Sequence, residues 1–143
     1  MANQPAIRGY VLRPGEAVLD RPPEIKASGR STGGSLTVIQ QTIDGGPPRH
    51  MHTREDESCY VFAGALDVEC GGDRFEAGPG SFVFLPRNLP HAFRTVGGPA
   101  TVLLIITPGG LDEYFAELHA ALDTSAGSAE VRKIMDRYGI VPS

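Results

Sequence analysis

A chain of 143 residues with 41% hydrophobic content has room for one substantial core and reads as a single domain. Its net charge of −4 comes without a basic run, which excludes the electrostatic footprint of a nucleic-acid binder or an anionic-membrane binder. No apolar run is long enough to span a bilayer and the start lacks a leader pattern, so a soluble, cytoplasmic protein is expected.

In chain order, 18 glycines and 12 prolines break the sequence into short stretches rich in Val, Ile, Leu and Phe, the rhythm of strands joined by turns. Strands are predicted over 9–12, 24–27, 36–43, 49–53, 57–62, 65–70, 73–76, 82–85, 91–96 and 100–107. After Thr107 the period changes. Leu111, Phe115, Leu118 and Leu122 recur at helical spacing, as do Val131, Ile134, Met135 and Tyr138 before Gly139. The expected organisation is all-β: a β body over 1–107 and an extension over 108–143 of two short helices packed on its outside. Cys59 and Cys70 lack the spacing of a zinc or redox site and read as plain thiols.

Strand alternation says where the polar residues point. His50 and His52 lie on one face of their strand, with Arg49, Met51 and Thr53 on the other. Glu57, Cys59 and Val61 share an apolar, inward face. The turn at Ala63-Gly64 folds Leu66, Val68 and Cys70 back opposite them, leaving Asp67 and Glu69 in water. A carboxylate on an apolar face costs several kcal/mol unless it is paired, protonated or bound to a cation, and the two histidines nearby suggest the cation. Glu55 and Asp56 belong to the same acidic cluster and read as a solvated loop, with Asp56 the alternative to Glu57. In "GPGSFVFLPRNLPHAFRT" a turn launches an apolar strand, Pro86 ends it, and His91 opens the next strand with Phe93 on its face. Phe82 and Phe84 read as core or pocket wall. Gln40 and Gln41 straddle one strand, so one of them enters the interior, and His119 reads as a surface residue of the first helix.

The spacing of His50, His52, Glu57 and Gly64, followed by Gly80, Pro86 and His91, resembles the two motifs of the cupin family. Three positions depart from the pattern: Gly45 stands one residue close to His50, Asn88 replaces a glycine, and Thr95 replaces an asparagine. Asn tolerates the left-handed turn that glycine usually supplies.

The resemblance implies a double-stranded β-helix, or jelly-roll barrel. It also implies a divalent transition metal (Fe, Mn, Ni, Co, Cu or Zn) held by His50, His52, Glu57 and His91, with one or two positions open. Similarity to quercetinase-like members implies a dioxygenase-like enzyme acting on a small enolisable or phenolic, flavonol-like molecule, with Glu57 also accepting a proton. A noncatalytic metal- or ligand-binding cupin and a Lewis-acid isomerase or cyclase are the alternatives. Gln40, Cys59, Val61 and Phe93 are the candidate pocket residues, with Leu66 and Val68 beside them. Metal occupancy is expected to fall as pH drops through the ordinary imidazole value of about 6.5. The apolar content of "RGYVLRPGEAV" fits it to cover a neighbour's sheet edge, so a homodimer is expected.

Overall fold

The computed structural model describes residues 6–20 and 22–143. Ten strands and two helices follow in the order β1 (Glu24–Ala27), β2 (Thr37–Ile43), β3 (His50–His52), β4 (Asp56–Ala63), β5 (Leu66–Cys70), β6 (Asp73–Ala77), β7 (Phe82–Leu85), β8 (His91–Thr95), β9 (Ala100–Thr107), α1 (Asp112–Asp123), α2 (Ser128–Arg137) and β10 (Ile140–Pro142). The strands form two five-stranded sheets, ordered β1-β2-β9-β4-β7 and β10-β3-β8-β5-β6. This is the jelly-roll arrangement, with the inner faces of the two sheets enclosing the core.

Alternation sorts the side chains. On β4 the inward residues Glu57, Cys59 and Val61 are buried, and on β5 so are Leu66, Val68 and Cys70. These two sets face each other across the interior from opposite sheets. They are not the two sides of one hairpin, because the Ala63–Leu66 turn carries the chain from one sheet to the other. With Ile25, Ile39, Val83, Leu85, Phe93, Val102 and Leu104 the members of both sets other than Glu57 make one continuous apolar cluster. Each fully buried aliphatic side chain there contributes about 1.5–3 kcal/mol, so the barrel has its own source of stability.

Several expectations are corrected. Residues 9–12 form no strand. They run as exposed chain, tied to β1 where the Tyr10 hydroxyl donates to the Lys26 carbonyl at 2.8 Å. Phe82 and Phe84 are exposed, because Val83 and Leu85 are the residues that pair inward with Cys59 and Glu57. In α1, Leu122 is exposed, and the buried side runs instead through Leu111 and Tyr114.

The C-terminal extension ends in a strand, β10, that pairs with β3 in the register Ile140 to His52 and Pro142 to His50. Gly139 makes this return possible. Its φ of +70° suits glycine, and a Cβ there would stand 2.5 Å from Thr53 Oγ1. Ile140 joins Ile106, Leu111, Tyr114 and Ile134 in a second buried cluster that packs the helices onto the barrel. The start of α1 is fixed by buried Asp112, whose Oδ1 accepts from the Gly29 N–H at 3.0 Å and the Thr37 hydroxyl at 3.1 Å.

Candidate metal centre

The four candidate ligands come from three strands. His50 and His52 stand on β3, His91 stands on β8 directly opposite His50, and Glu57 reaches in from β4 of the other sheet. The loops that carry them are tied together. Asn88 adopts φ 63°, the left-handed turn its side chain tolerates, and its N–H donates to the His52 carbonyl at 2.8 Å. Arg87 grips Asp56 through its backbone N–H at 2.9 Å and its guanidinium at 3.2 Å. Asp56 is thereby engaged outside the cluster, which leaves Glu57 as the inward carboxylate.

Two of the unusual motif positions meet each other. The Gly45 N–H donates to Thr95 Oγ1 at 2.7 Å, and the Thr95 N–H donates to the Gly45 carbonyl at 2.8 Å. Next to them the chain passes so close to β8 that a Cβ on Gly46 would lie 1.8 Å from the Phe93 carbonyl oxygen. This contact sets the approach to β3, and with it the placement of His50.

The ligand atoms converge. His50 Nε2 lies 3.2 Å from His52 Nε2, His52 Nε2 lies 3.9 Å from Glu57 Oε2, and His91 Nε2 lies 3.1 Å from the same oxygen. One ligand atom from each residue falls within 4.8 Å of the others. Donors about 2.1 Å from a common ion and at right angles to one another would be about 3 Å apart, so these separations fit one ion. The His50 tautomer agrees, while His52 Nδ1 and His91 Nδ1 are enclosed without a partner. His50 Nδ1 is 2.8 Å from the Pro48 carbonyl, so Nδ1 carries the proton and Nε2 presents its lone pair to the cluster.

Within the cluster, Glu57 Oε2 and His91 Nε2 are enclosed and lack a hydrogen bond of good geometry despite their 3.1 Å approach. Enclosed polar atoms without partners are rare because each costs about 1–3 kcal/mol, and a cation at the point of convergence would satisfy them together. Three nitrogens and one oxygen suit a divalent transition ion and do not select among Fe, Mn, Co, Ni, Cu and Zn.

Residues 39–106 match the family described as Cupin domain. A curated relative, quercetin 2,3-dioxygenase of Bacillus subtilis (strain 168), is 25% identical over an alignment covering 76% of this chain and 34% of that protein. The chain therefore spans about a third of the length of this relative. The solved structure of KdgF from Halomonas sp. superposes with a TM-score of 0.54 at 25% identity, covering 62% of this chain and 79% of that one. The matched segment carries all four candidate ligands, and over it the chain is similar to cupin-superfamily proteins.

The remaining candidate residues fall in two places. Cys59, Val61 and Phe93 are packed in the main core with Leu66 and Val68, where they form an apolar wall. Burial, reinforced by the Glu57 charge, pushes the Cys59 thiol up to about 12, so it stays protonated. Gln40 is on the outer face. The inward glutamine is Gln41, opposite buried Val102, because Thr37 and Ile39 set the inward phase of β2. Glu55 is only half in solvent, and one of its carboxyl oxygens is enclosed without a hydrogen-bond partner. His119 is exposed on α1. Tyr114 was not among the residues the sequence singled out, yet it is buried in the cluster that borders the ligands.

Burial also moves the acid range in which the histidines act. It lowers His50 below the ordinary imidazole value, and it brings His52 to about 4 against the opposing pull of the Glu57 charge. Burial pushes the Glu57 carboxyl up, but the His91, His52 and His50 rings outweigh it and hold the group below its ordinary range. A depressed imidazole stays neutral, and able to ligate, to lower pH. The unfolded chain takes up that proton near pH 6.5, so the His52 contribution to stability is present above about 6.5 and is lost as pH falls toward 4. In NMR titrations of the metal-free protein, His52 is expected to titrate near 4 and His50 below 6.5, and a separately prepared metal-loaded sample is expected to keep its metal below pH 6.5. Ordinary titration of both rings at about 6.5 would contradict this.

Proposed function

We propose that this chain is a metal-dependent, dioxygenase-like cupin enzyme that acts on a small enolisable or phenolic molecule. The observation that carries the reading is the convergence of His50 Nε2, His52 Nε2, His91 Nε2 and Glu57 Oε2 on one point. Similarity to a quercetin 2,3-dioxygenase supports the substrate class. A divalent ion held there would supply Lewis-acid or redox chemistry to oxygen atoms of the substrate.

The chain's own groups have distinct parts in this reading. His50 is the partly exposed ligand, so its side of the cluster is where a small molecule would arrive. The packed wall of Cys59, Val61 and Phe93 keeps bulk water from the inner side. Glu57, held ionised, can accept a proton from an enol or phenol brought against it.

The test is dioxygen consumption by protein loaded in turn with Fe(II), Mn(II), Co(II), Ni(II), Cu(II) and Zn(II), offered quercetin or acetylacetone. Uptake above the rate of free metal with at least one ion is expected. Deuterium exchange at the acetylacetone methylene without dioxygen uptake would indicate a Lewis-acid isomerase or cyclase instead. Binding with neither reaction would indicate a noncatalytic module.

A further inference from the structure

We infer that the Tyr114 hydroxyl of α1 is a hydrogen-bond donor to a substrate oxygen held at the four-residue cluster. Three placements lead there, and the inference rests on the metal-site reading above.

Tyr114 belongs to the buried cluster of Ile106, Leu111, Ile134 and Ile140. Ile106 is the cross-strand partner of Glu57, and Ile140 is the cross-strand partner of His52. Partners in antiparallel register carry their side chains on the same face about 5 Å apart, so Tyr114 shares its buried cluster with the immediate neighbours of two candidate ligands from opposite sheets. It borders the space between the sheets where the ligands meet.

The ring is 8% exposed, and the hydroxyl makes no hydrogen bond among the described residues. Tyr138 shows the contrast: its ring centroid is 5.5 Å from that of Tyr114, but its hydroxyl donates to Glu117. The Tyr114 hydroxyl is not among the enclosed atoms that lack a partner, so it lies at the accessible edge of the ring, where it is free to meet an incoming oxygen.

Position and protonation both suit donation. The Asp112 network fixes the first turn of α1 two residues before Tyr114, so the ring is presented from a rigid element. Burial raises the Tyr114 phenol, and the nearby Glu57 charge raises it further, which keeps the proton in place at neutral pH.

The test uses the full chain loaded with Co(II) and titrated with maltol, a small molecule with adjacent hydroxyl and keto oxygens, followed by visible absorption. Tyr114→Phe keeps the ring and removes the hydroxyl. It is expected to raise the maltol Kd about tenfold at unchanged cobalt stoichiometry and melting temperature, while Tyr138→Phe leaves the Kd unchanged. Equal Kd in wild type and Tyr114→Phe, or failure of the loaded wild type to bind maltol, overturns the role of Tyr114 and leaves the metal site standing. Absence of stoichiometric cobalt in the wild type overturns the metal site and the inference together.

Discussion

Replacing any one of His50, His52 and His91 with alanine is expected to strip most of the bound metal while leaving the barrel folded. Even the residues that merely orient a metal ligand are worth about 10–100-fold in affinity, so removal of a ligand should cost at least that. Folding should survive because the main core of Ile39, Val61, Leu66, Val68, Leu85, Val102 and Leu104 includes none of the ligands. The three sites differ in what else they lose. His91 is 1% exposed and His52 is 3% exposed, so their truncation leaves a void beside Glu57, whereas His50 stands at the partly open side.

A second reading of the same variants separates binding from folding. Metal that binds only the native state stabilises it by about 2.7 kcal/mol at a free concentration 100 times Kd. The wild type should therefore melt higher with metal than without, and each alanine variant should melt at one temperature in both conditions. Retention of stoichiometric metal, with its thermal shift, in two of the three variants would remove the site assignment.

The four converging residues were legible because two independent regularities agree on them. Period-two alternation turns His50 and His52 to one face and Glu57 to an apolar face, and motif spacing brings His91 to the same interior. Alternation fails where both faces of a strand are apolar. The outward Phe82 and Phe84 look no different in sequence from the inward Val83 and Leu85, and in β2 the inward Thr37 and Ile39 alternate with outward Val38, so Gln40 and Gln41 could not be told apart. The short strand β10 escaped notice because three residues behind a helix-ending glycine carry no period of their own. Tyr114 was hidden by a helical stripe drawn through Phe115 and Leu122, although the buried side of α1 is turned toward Leu111 and Tyr114. The depressed histidines depend on burial by residues distant in sequence, so no local pattern announces them.

Glu57→Gln divides the two roles assigned to that carboxylate. The substitution is nearly isosteric, and β4 should hold the amide where the carboxylate stands, between Leu85 on β7 and Ile106 on β9. An amide oxygen still donates to a metal but brings no negative charge, so affinity should weaken and full occupancy should return with excess metal. Metal-saturated Glu57→Gln is expected to turn over the substrate found in the dioxygen assay about a hundredfold to ten-thousandfold more slowly, the range lost with a positioned general base. Tyr114 cannot take over, since burial, the larger cause of its raised value, remains when the Glu57 charge is removed and keeps the phenol protonated. Cys59 cannot either, because burial, the larger cause of its raised value, is unchanged by the substitution and the thiol holds its proton at neutral pH. With neither neighbour able to accept the proton, a saturated Glu57→Gln protein working at close to the wild-type rate would show that Glu57 serves the metal alone.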